Sequence, residues 1–231
     1  LVTIPDMGSP QFAQIKYSIN DYKGLLEIPN SLLKDENANL EGYLVKWIAK
    51  KLVATHNSLI FYADGTKVQG ILGTTVDGFT SDTLTDPATV KDFKSILNKK
   101  LPSAIATTSK IFTNQTGFDY LDGLEDSFGR PLLQPDVTDS TKYKFLGKEV
   151  VVFDDAVLKN KDTTGEVPFI IGDAKEAYTY FDRENISIAT STEAGFENDS
   201  TKMRVIARGD GKFVDTKALY ILYTPLEAVG A

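Results

Sequence analysis

Apolar residues recur at three- and four-residue intervals from about Asn39 to Leu59, which is the spacing of one helix face. Asn37 or Asn39 is in position to cap the first turn by accepting backbone N–H bonds. The pattern therefore predicts one long amphipathic helix. Its apolar stripe consists of Leu40, Tyr43, Leu44, Trp47, Ile48 and Leu52.

A second helix is predicted from Asp86 to about Lys100. Asp86 is the expected N-cap, and Pro87 falls in the first turn, where its missing N–H costs nothing. Pro102 is expected to end the helix because proline cannot continue the hydrogen-bond ladder. The expected buried face consists of Val90, Phe93, Ile96 and Leu97.

Most other apolar segments are short, and β-branched and aromatic residues dominate them. Residues 11–19 alternate between apolar and polar positions, which is typical of a half-exposed strand. Further strands are predicted at residues 104–112, 143–153, 167–171, 185–191, 203–208 and 217–223. Gly195–Ser200 and Gly209-Asp210-Gly211 are the expected turns between the last three. With helices early and strands late, the order indicates an α+β fold.

A third helix, short and amphipathic, is predicted from Thr116. It leads into a Gly129-Arg130-Pro131 turn and then an apolar strand that Pro135 closes. Four acidic residues are expected on one face of this helix: Asp119, Asp122, Glu125 and Asp126. Calcium loops need alternating oxygen ligands around a glycine, and this spacing does not supply them, so we expect a solvated face.

Composition narrows the function classes. The 231 residues are 42% hydrophobic and 25% charged, and they suffice for one large domain or two small ones. No cysteine is present, which excludes disulfides, thiol nucleophiles and cysteine-ligated metals. A net charge of −7 argues against a protein that grips nucleic acid through its phosphates. We expect neither a membrane span nor a secretory leader, and the initial Leu1 suggests that a segment preceded it.

Candidate chemistry is sparse. His56, the single histidine, falls near the end of the long helix, where a solvated or C-terminal capping role is expected. Asp154-Asp155 is expected to form a turn after a strand rather than half of an acid–base pair. Gly70-Ile71-Leu72-Gly73 and Gly209-Asp210-Gly211-Lys212 lack the spacing of a phosphate loop. We therefore predict no catalytic, cofactor-binding or metal-binding residues.

The order of elements resembles that of the tailed-bacteriophage major capsid protein family. The strongest similarity is the run from Ser109 to Pro135, which contains the short helix and the Gly129-Arg130-Pro131 turn. Other similar segments are residues 25–35, the long helix at 39–60, the glycine-rich step at 62–72 and the strands between 171 and 188. The resemblance spans about residues 11–223, and the order of its segments matters more than any one motif.

The resemblance implies an α+β fold of the phage major-capsid type, which encapsulins share. It implies a peripheral domain of residues 25–62 and 185–215, built from the long spine helix and long strands. A mixed axial domain would comprise residues 63–184 and 216–231. Residues 1–24 would be the remnant of an extended loop, which in the family lies across a neighbouring subunit.

The implied function is structural and not enzymatic: a major capsid subunit that self-assembles into the icosahedral shell around phage DNA. The expected partners are copies of itself in pentamers and hexamers, a scaffold or maturation protease, and a portal. The expected location is the virion, assembled in the bacterial host cytoplasm, with no cofactor, no membrane and no tight sequence-specific binding of nucleic acid. Some family members crosslink subunits through lysine and asparagine. The asparagine and its assisting acid would fall near Lys202 and Gly209, so we expect no crosslinking here.

Three other functions stay open at this stage. An encapsulin-like compartment shell has the same fold and encloses an enzyme cargo. A carboxylate-based hydrolase would need two acidic side chains about 5–9 Å apart in a cleft. A plain binding module would stay monomeric at high concentration.

Overall fold

Two β-sheets and one long helix organise the chain. The computed structural model describes residues 14–34, 40–66, 68–73, 78–126, 128–137, 139, 141–161 and 164–226. The strands in this part are β1 (Asn20–Pro29), β2 (Thr80–Thr83), β3 (Lys110–Asn114), β4 (Leu133–Pro135), β5 (Tyr143–Phe145), β6 (Lys148–Phe153), β7 (Val167–Gly172), β8 (Tyr178–Ser191), β9 (Ser200–Phe213) and β10 (Leu219–Thr224). The helices are α1 (Asn30–Lys34), α2 (Leu40–Tyr62), α3 (Val90–Ser95), α4 (Ser103–Thr108), α5 (Gln115–Asp122) and α6 (Ala174–Ala177). The predicted α+β class is confirmed.

The smaller sheet is antiparallel, in the order β1-β9-β8. In the register of β1 and β9, Gly24 pairs with Val205. The β8–β9 ladder shifts register between Asp182 and Glu184 and again between Glu184 and Ser187. A 3₁₀ turn at Glu193–Asn198 joins these two strands and overlaps the predicted Gly195–Ser200 turn.

The larger sheet has seven strands in the order β2-β10-β7-β3-β6-β5-β4. The pairs β2–β10 and β3–β6 are parallel and the others antiparallel. All six residues of β7 are buried, as expected for a strand covered on both faces. On one face, Phe93 packs edge-to-face against Phe145 and Phe169, with ring centroids 5.3 and 5.2 Å away.

Helix α2 packs against both sheets. Near its middle, Ile48 joins an apolar cluster with Ile28, Met203 and Val205 of the smaller sheet. At its C-terminal end, Phe61 joins a second cluster with Ile170 of the larger sheet. Burying each such side chain contributes about 1.5–3 kcal/mol, so this helix fastens the two sheets together.

The long helix was predicted closely, but its apolar stripe was not. Leu44 and Leu52 pack beside the buried Ile48, whereas Tyr43 is 64% exposed and Trp47 40%. Only part of the predicted apolar stripe is therefore buried against the smaller sheet. The caps that we predicted at Asn37 or Asn39 lie outside the described residues.

The second helix begins later than predicted. Thr89, not Asp86, is the N-cap, and the Asp92 carboxylate accepts hydrogen bonds from the Thr89 backbone N–H at 2.8 Å and its hydroxyl at 2.6 Å. A capping box of this kind satisfies the free N–H groups of a first turn. The helix continues as a π-helical turn at Ile96–Lys100, and Leu101 follows as its cap.

Two predicted strands are wrong over part of their length, although the end of residues 104–112 lies in β3 as predicted. The first half of residues 104–112 forms helix α4, in which the Thr107 hydroxyl donates to the Ser103 carbonyl at 3.1 Å. This bond satisfies the threonine hydroxyl within the helix. Of the predicted strand at 11–19, residues 14–19 have no regular structure, and the rest lies outside the described residues. The Tyr17 ring stacks instead on Phe181, with centroids 4.3 Å apart.

The predicted turn at Gly209-Asp210-Gly211 is also wrong, because all three residues lie inside β9. Tyr180 covers the Cα of Gly209, and Tyr178 covers that of Gly211. A side chain at either glycine would collide with the tyrosine, so these glycines permit close packing.

Candidate functional site

The predicted turn at Asp154-Asp155 is confirmed. The Asp154 carboxylate accepts the Ala156 backbone N–H at 2.8 Å. The Asp155 carboxylate accepts the Thr116 backbone N–H at 3.2 Å and its hydroxyl at 3.1 Å, at the first turn of α5. The carboxylates of Asp154 and Asp155 therefore bind backbone N–H groups of the turn itself and of the first turn of α5.

The predicted acidic helix face is wrong, because α5 ends at Asp122. Asp126 lies beyond it, in the Gly129-Arg130-Pro131 turn, where its carboxylate binds the Arg130 guanidinium at 2.7 Å. Hydrogen bonds from the Arg130 backbone and side chain and from the Phe128 backbone lower the pKa of Asp126. Of the four acidic residues, Asp119 and Asp122 therefore lie on the helix, whereas Asp126 belongs to the turn that follows.

The glycine-rich step after α2 contacts the end of that helix. The N–H groups of Ile71 and Leu72 each donate at 2.7 Å to the carbonyls of Ile60 and Phe61. A Cβ on Gly70 would lie 2.5 Å from the Ala63 nitrogen, so close backbone approach requires glycine there. These contacts satisfy helix carbonyls that lack a helical partner.

His56 does not have the solvated or capping role predicted for it. Its ring centroid lies 5.3 Å from that of Tyr180, and its Nε2 is buried without a hydrogen-bond partner among the described residues. The prediction failed because the contacts come from β8, more than one hundred residues away in sequence.

Tyr180 belongs to a group of buried phenols. In the described part of the chain, the hydroxyls of Tyr22, Tyr178 and Tyr180 are also buried without a partner. Burial, and secondarily the negative charge of Asp210, raises the pKa of Tyr178. Burial raises the pKa of Tyr180 to about 12. His56 lies between Leu52 and Ile60 in sequence, so this polar group separates the two apolar clusters on α2.

Asp210 is fully buried in the middle of β9. One carboxylate oxygen accepts the Ser18 backbone N–H at 2.8 Å and lies 3.5 Å from the Lys212 ammonium. The contact attaches the irregular segment 14–19 to the sheet. Over the described residues, no group of three or more His, Asp or Glu side chains is arranged to hold a metal ion.

A largely apolar groove lies between β1 and α2 in the smaller-sheet half, with a volume of about 330 Å³. Leu25 and Trp47 line it, above Ile48 and Val205. Leu25 is 68% exposed. Lys51 also lines the groove, and its ammonium lies 5.6 Å from the centroid of the Trp47 ring. We call this the β1–α2 groove; it offers a basic, apolar surface.

A second exposed feature is the turn between β8 and β9, residues 193–199, which we call the Phe196 turn. Phe196 is 87% exposed at its tip. Glu193, Glu197 and Asp199 make the turn acidic. Aromatic side chains are enriched at protein interfaces, whose rims are polar.

The Phe196 turn is held firmly from below. The Asn30 backbone N–H donates to the Asp199 carbonyl at 2.8 Å, and its side-chain amide donates to the Asp199 carboxylate at 2.7 Å. The Ser200 hydroxyl donates to Glu27 at 2.6 Å. This bond, followed by one from Asn198, lowers the pKa of Glu27. Asp199 has a left-handed backbone with φ of 45°, which reverses the chain.

Comparison with known proteins identifies similar chains. A model of the phage capsid family matches residues 2–223. Comparison with curated proteins finds no matching sequence. None of the helices in the described part of the chain combines the length and apolar character needed to span a bilayer.

Solved structures share this fold at low sequence identity. The capsid of a native GTA particle is 18% identical with a TM-score of 0.75, covering 94% of this chain and 76% of that one. The Microbacterium phage Oxtober96 structure is 13% identical with a TM-score of 0.66, covering 90% and 73%. The SrpI encapsulin from Synechococcus elongatus is 9% identical with a TM-score of 0.65, covering 93% and 76%.

Proposed function

The chain belongs to the phage capsid family and is a structural shell subunit, and we propose how its parts serve that function. The family match over residues 2–223 is the observation that supports this function most strongly. The fold agrees, because similar structures include phage capsids and an encapsulin. Family and fold both point to a structural rather than a catalytic protein.

We propose that copies of the chain associate into pentamers and hexamers and that these close into an icosahedral shell around phage DNA. The peripheral part would comprise residues 25–62 and 185–215, and the axial part residues 63–184 and 216–231. Packing of α2 against both sheets supports such a division, because one helix can fix the angle between two parts. A fixed angle is what repeated assembly into one shape requires.

We further propose assembly in the host cytoplasm with a scaffold or maturation protease and a portal. The net charge of −7 suits a shell that confines DNA without gripping it. Lys202 and Gly209 stand at about the positions where the crosslinking asparagine and its assisting acid would fall, which supports a shell held by non-covalent contacts.

An encapsulin-like shell is the second candidate. The similarity to the SrpI encapsulin supports it, with a TM-score of 0.65 against 0.75 for the GTA capsid. Neighbouring genes distinguish the two functions, because a phage head gene accompanies terminase and portal genes and an encapsulin gene accompanies a cargo enzyme.

Assembly of the protein expressed from its complete gene tests the proposed function. Negative-stain microscopy and sedimentation velocity should reveal closed particles of uniform diameter. Co-expression with the neighbouring scaffold or protease genes should increase their yield. A protein that stays a compact monomer under all of these conditions would contradict the proposal.

A further inference from the structure

We propose that the Phe196 turn of one copy docks into the β1–α2 groove of a neighbouring copy. The inference rests on the proposed shell function and adds to it one specific pair of surfaces. Each surface is exposed in the single chain, and their shapes and charges are complementary.

The Phe196 turn has the properties of a preformed anchor. Its phenyl ring is 87% exposed, although burying such a ring contributes about 1.5–3 kcal/mol. Asn30 and Glu27 brace the turn through hydrogen bonds of 2.6–2.8 Å, so docking would order few groups. Little conformational entropy is then lost on binding, which favours affinity.

Phe128 is a second exposed phenylalanine, but its surroundings differ from those of Phe196. It is 82% exposed, close to the value for Phe196. However, the Arg130 guanidinium lies 5.5 Å from its ring centroid, so this ring already has a cationic partner within the chain. Phe196 has no aromatic or cationic contact of this kind among the described residues.

The β1–α2 groove offers what a phenyl ring needs. Its volume of about 330 Å³ exceeds that of one aromatic side chain, and its lining is largely apolar. At Gly24 an added Cβ would meet only Val205, at 4.0 Å, so the missing side chain leaves the opening free. Aromatic anchors in such pockets commonly provide most of the binding energy of an interface.

Charge favours the same pairing. Within the described residues, neither Glu193 nor Glu197 has a basic side chain at ion-pair distance. Lys51 lines the groove and forms no ion pair in the described part of the chain, and Lys23 also lines it, with its ammonium 3.5 Å from the Asp21 carboxylate. In a chain of net charge −7, such a basic patch selects an acidic partner and orients it.

The two surfaces must meet between copies. Pro29 pairs with Ser200 at the base of the turn, whereas Gly24 pairs with Val205 at the groove. Five residues of strand separate these positions by about 17 Å, and the ladder holds that separation fixed. The turn of one chain therefore cannot enter its own groove. A contact between two different surfaces is head-to-tail, and repetition of it forms closed rings or continuing arrays.

Three variants test the docking, with assembly measured by sedimentation velocity over a range of protein concentrations. Phe196→Ala should raise the concentration for half-assembly at least about tenfold, as expected for an interface anchor. Gly24→Leu should do the same by filling the groove. Phe128→Ala is the matched control and should leave assembly unchanged. Circular dichroism and thermal unfolding should show that every variant folds as the wild type does.

A charge exchange makes the test specific. Glu197→Lys and Lys51→Glu should each weaken assembly, and the double variant should recover most of the loss because the attraction is restored with its sign reversed. If Phe196→Ala forms shells as well as the wild type does, the docking is overturned and the shell function is unaffected. If Gly24→Leu weakens assembly and Phe196→Ala does not, another segment occupies the groove, and the proposed docking is again overturned. A monomeric wild type would contradict both proposals.

Discussion

The Asp126 carboxylate and the Arg130 guanidinium form a paired contact: one oxygen accepts from Nε at 2.8 Å and lies 2.7 Å from Nη2. The other oxygen accepts the backbone N–H groups of Phe128 at 2.8 Å and of Arg130 at 3.1 Å. Gly129 between them has a φ of 74°, which glycine adopts without strain. A single carboxylate thus defines the corner that leads into β4.

We expect Asp126→Asn to lower the thermal midpoint, because an amide has only one accepting oxygen and cannot serve both the arginine fork and the backbone N–H groups. Its effect should depend on pH. The pKa of Asp126 is lowered in the folded state, so its contribution is present above the ordinary aspartate pKa and is lost as pH falls through the lowered value. Thermal unfolding of the two proteins between pH 2 and pH 7 should therefore converge at the acid end. A constant difference across that range would contradict the mechanism.

Gly211→Ala should destabilise the fold by about 1–3 kcal/mol, because the added Cβ collides with the Tyr178 hydroxyl and lies 3.0 Å from Val68. Gly24→Ala is the matched control in the same sheet, since its Cβ meets only Val205 at 4.0 Å. It should change the free energy of unfolding by well under 1 kcal/mol. Urea unfolding measures both, and similar losses in the two variants would show that the tyrosine contact is unimportant.

Removal of two phenol hydroxyls should have opposite consequences. The Tyr120 hydroxyl donates to the Ala88 carbonyl at 2.6 Å, so Tyr120→Phe should cost about 1 kcal/mol. The Tyr178 hydroxyl is buried without a partner among the described residues, so Tyr178→Phe should be neutral or stabilising. Urea unfolding distinguishes the two cases. An equal loss in Tyr178→Phe would indicate that an ordered water satisfies this hydroxyl.

Alkaline pH should weaken the junction between α2 and the smaller sheet. Burial raises the pKa of Tyr180 to about 12, above the ordinary value of 10.0, so the folded state holds the phenol proton more tightly than the unfolded state. The stabilisation is complete below about pH 10 and is lost as pH rises to about 12. Phenolate absorbance and circular dichroism should change together in this range. Tyr180→Phe should shift the transition to higher pH, and an unchanged transition would exclude Tyr180 as its cause.

Local pattern was sufficient for the long helix, but strand β1 was not predicted, and β8 and β9 were predicted only in part. Helix α2 spans Leu40–Tyr62 because its apolar spacing persists over several turns, and the cores of most strands were also predicted. Helix α4 was missed because threonine favours strands on average, and only the hydrogen bond from Thr107 to Ser103 reveals the alternative. Short segments therefore depend on contacts that periodicity does not contain.

The functional surfaces were less accessible to sequence reasoning. Gly209 and Gly211 suggested a turn because the tyrosines that cover them belong to another strand. The β1–α2 groove depends on the pairing of Gly24 with Val205, far apart in sequence. Phe196 was visible within a predicted turn, but its exposure and its bracing by Asn30 were not. Long-range pairing determines both surfaces.

The register shifts of β8 between Asp182 and Ser187 have a mechanical consequence. A continuous ladder stiffens a strand pair, and a local break lets it bend while the hydrogen bonds on either side stay intact. About 13 Å of strand lies beyond Ser187, so a bend of about 10° there would move the tip by roughly 2–3 Å. Fivefold and sixfold rings in a closed surface meet their neighbours at different angles. We expect bending of β8 at its register shifts to accommodate these different angles, so that one sequence fits both kinds of ring.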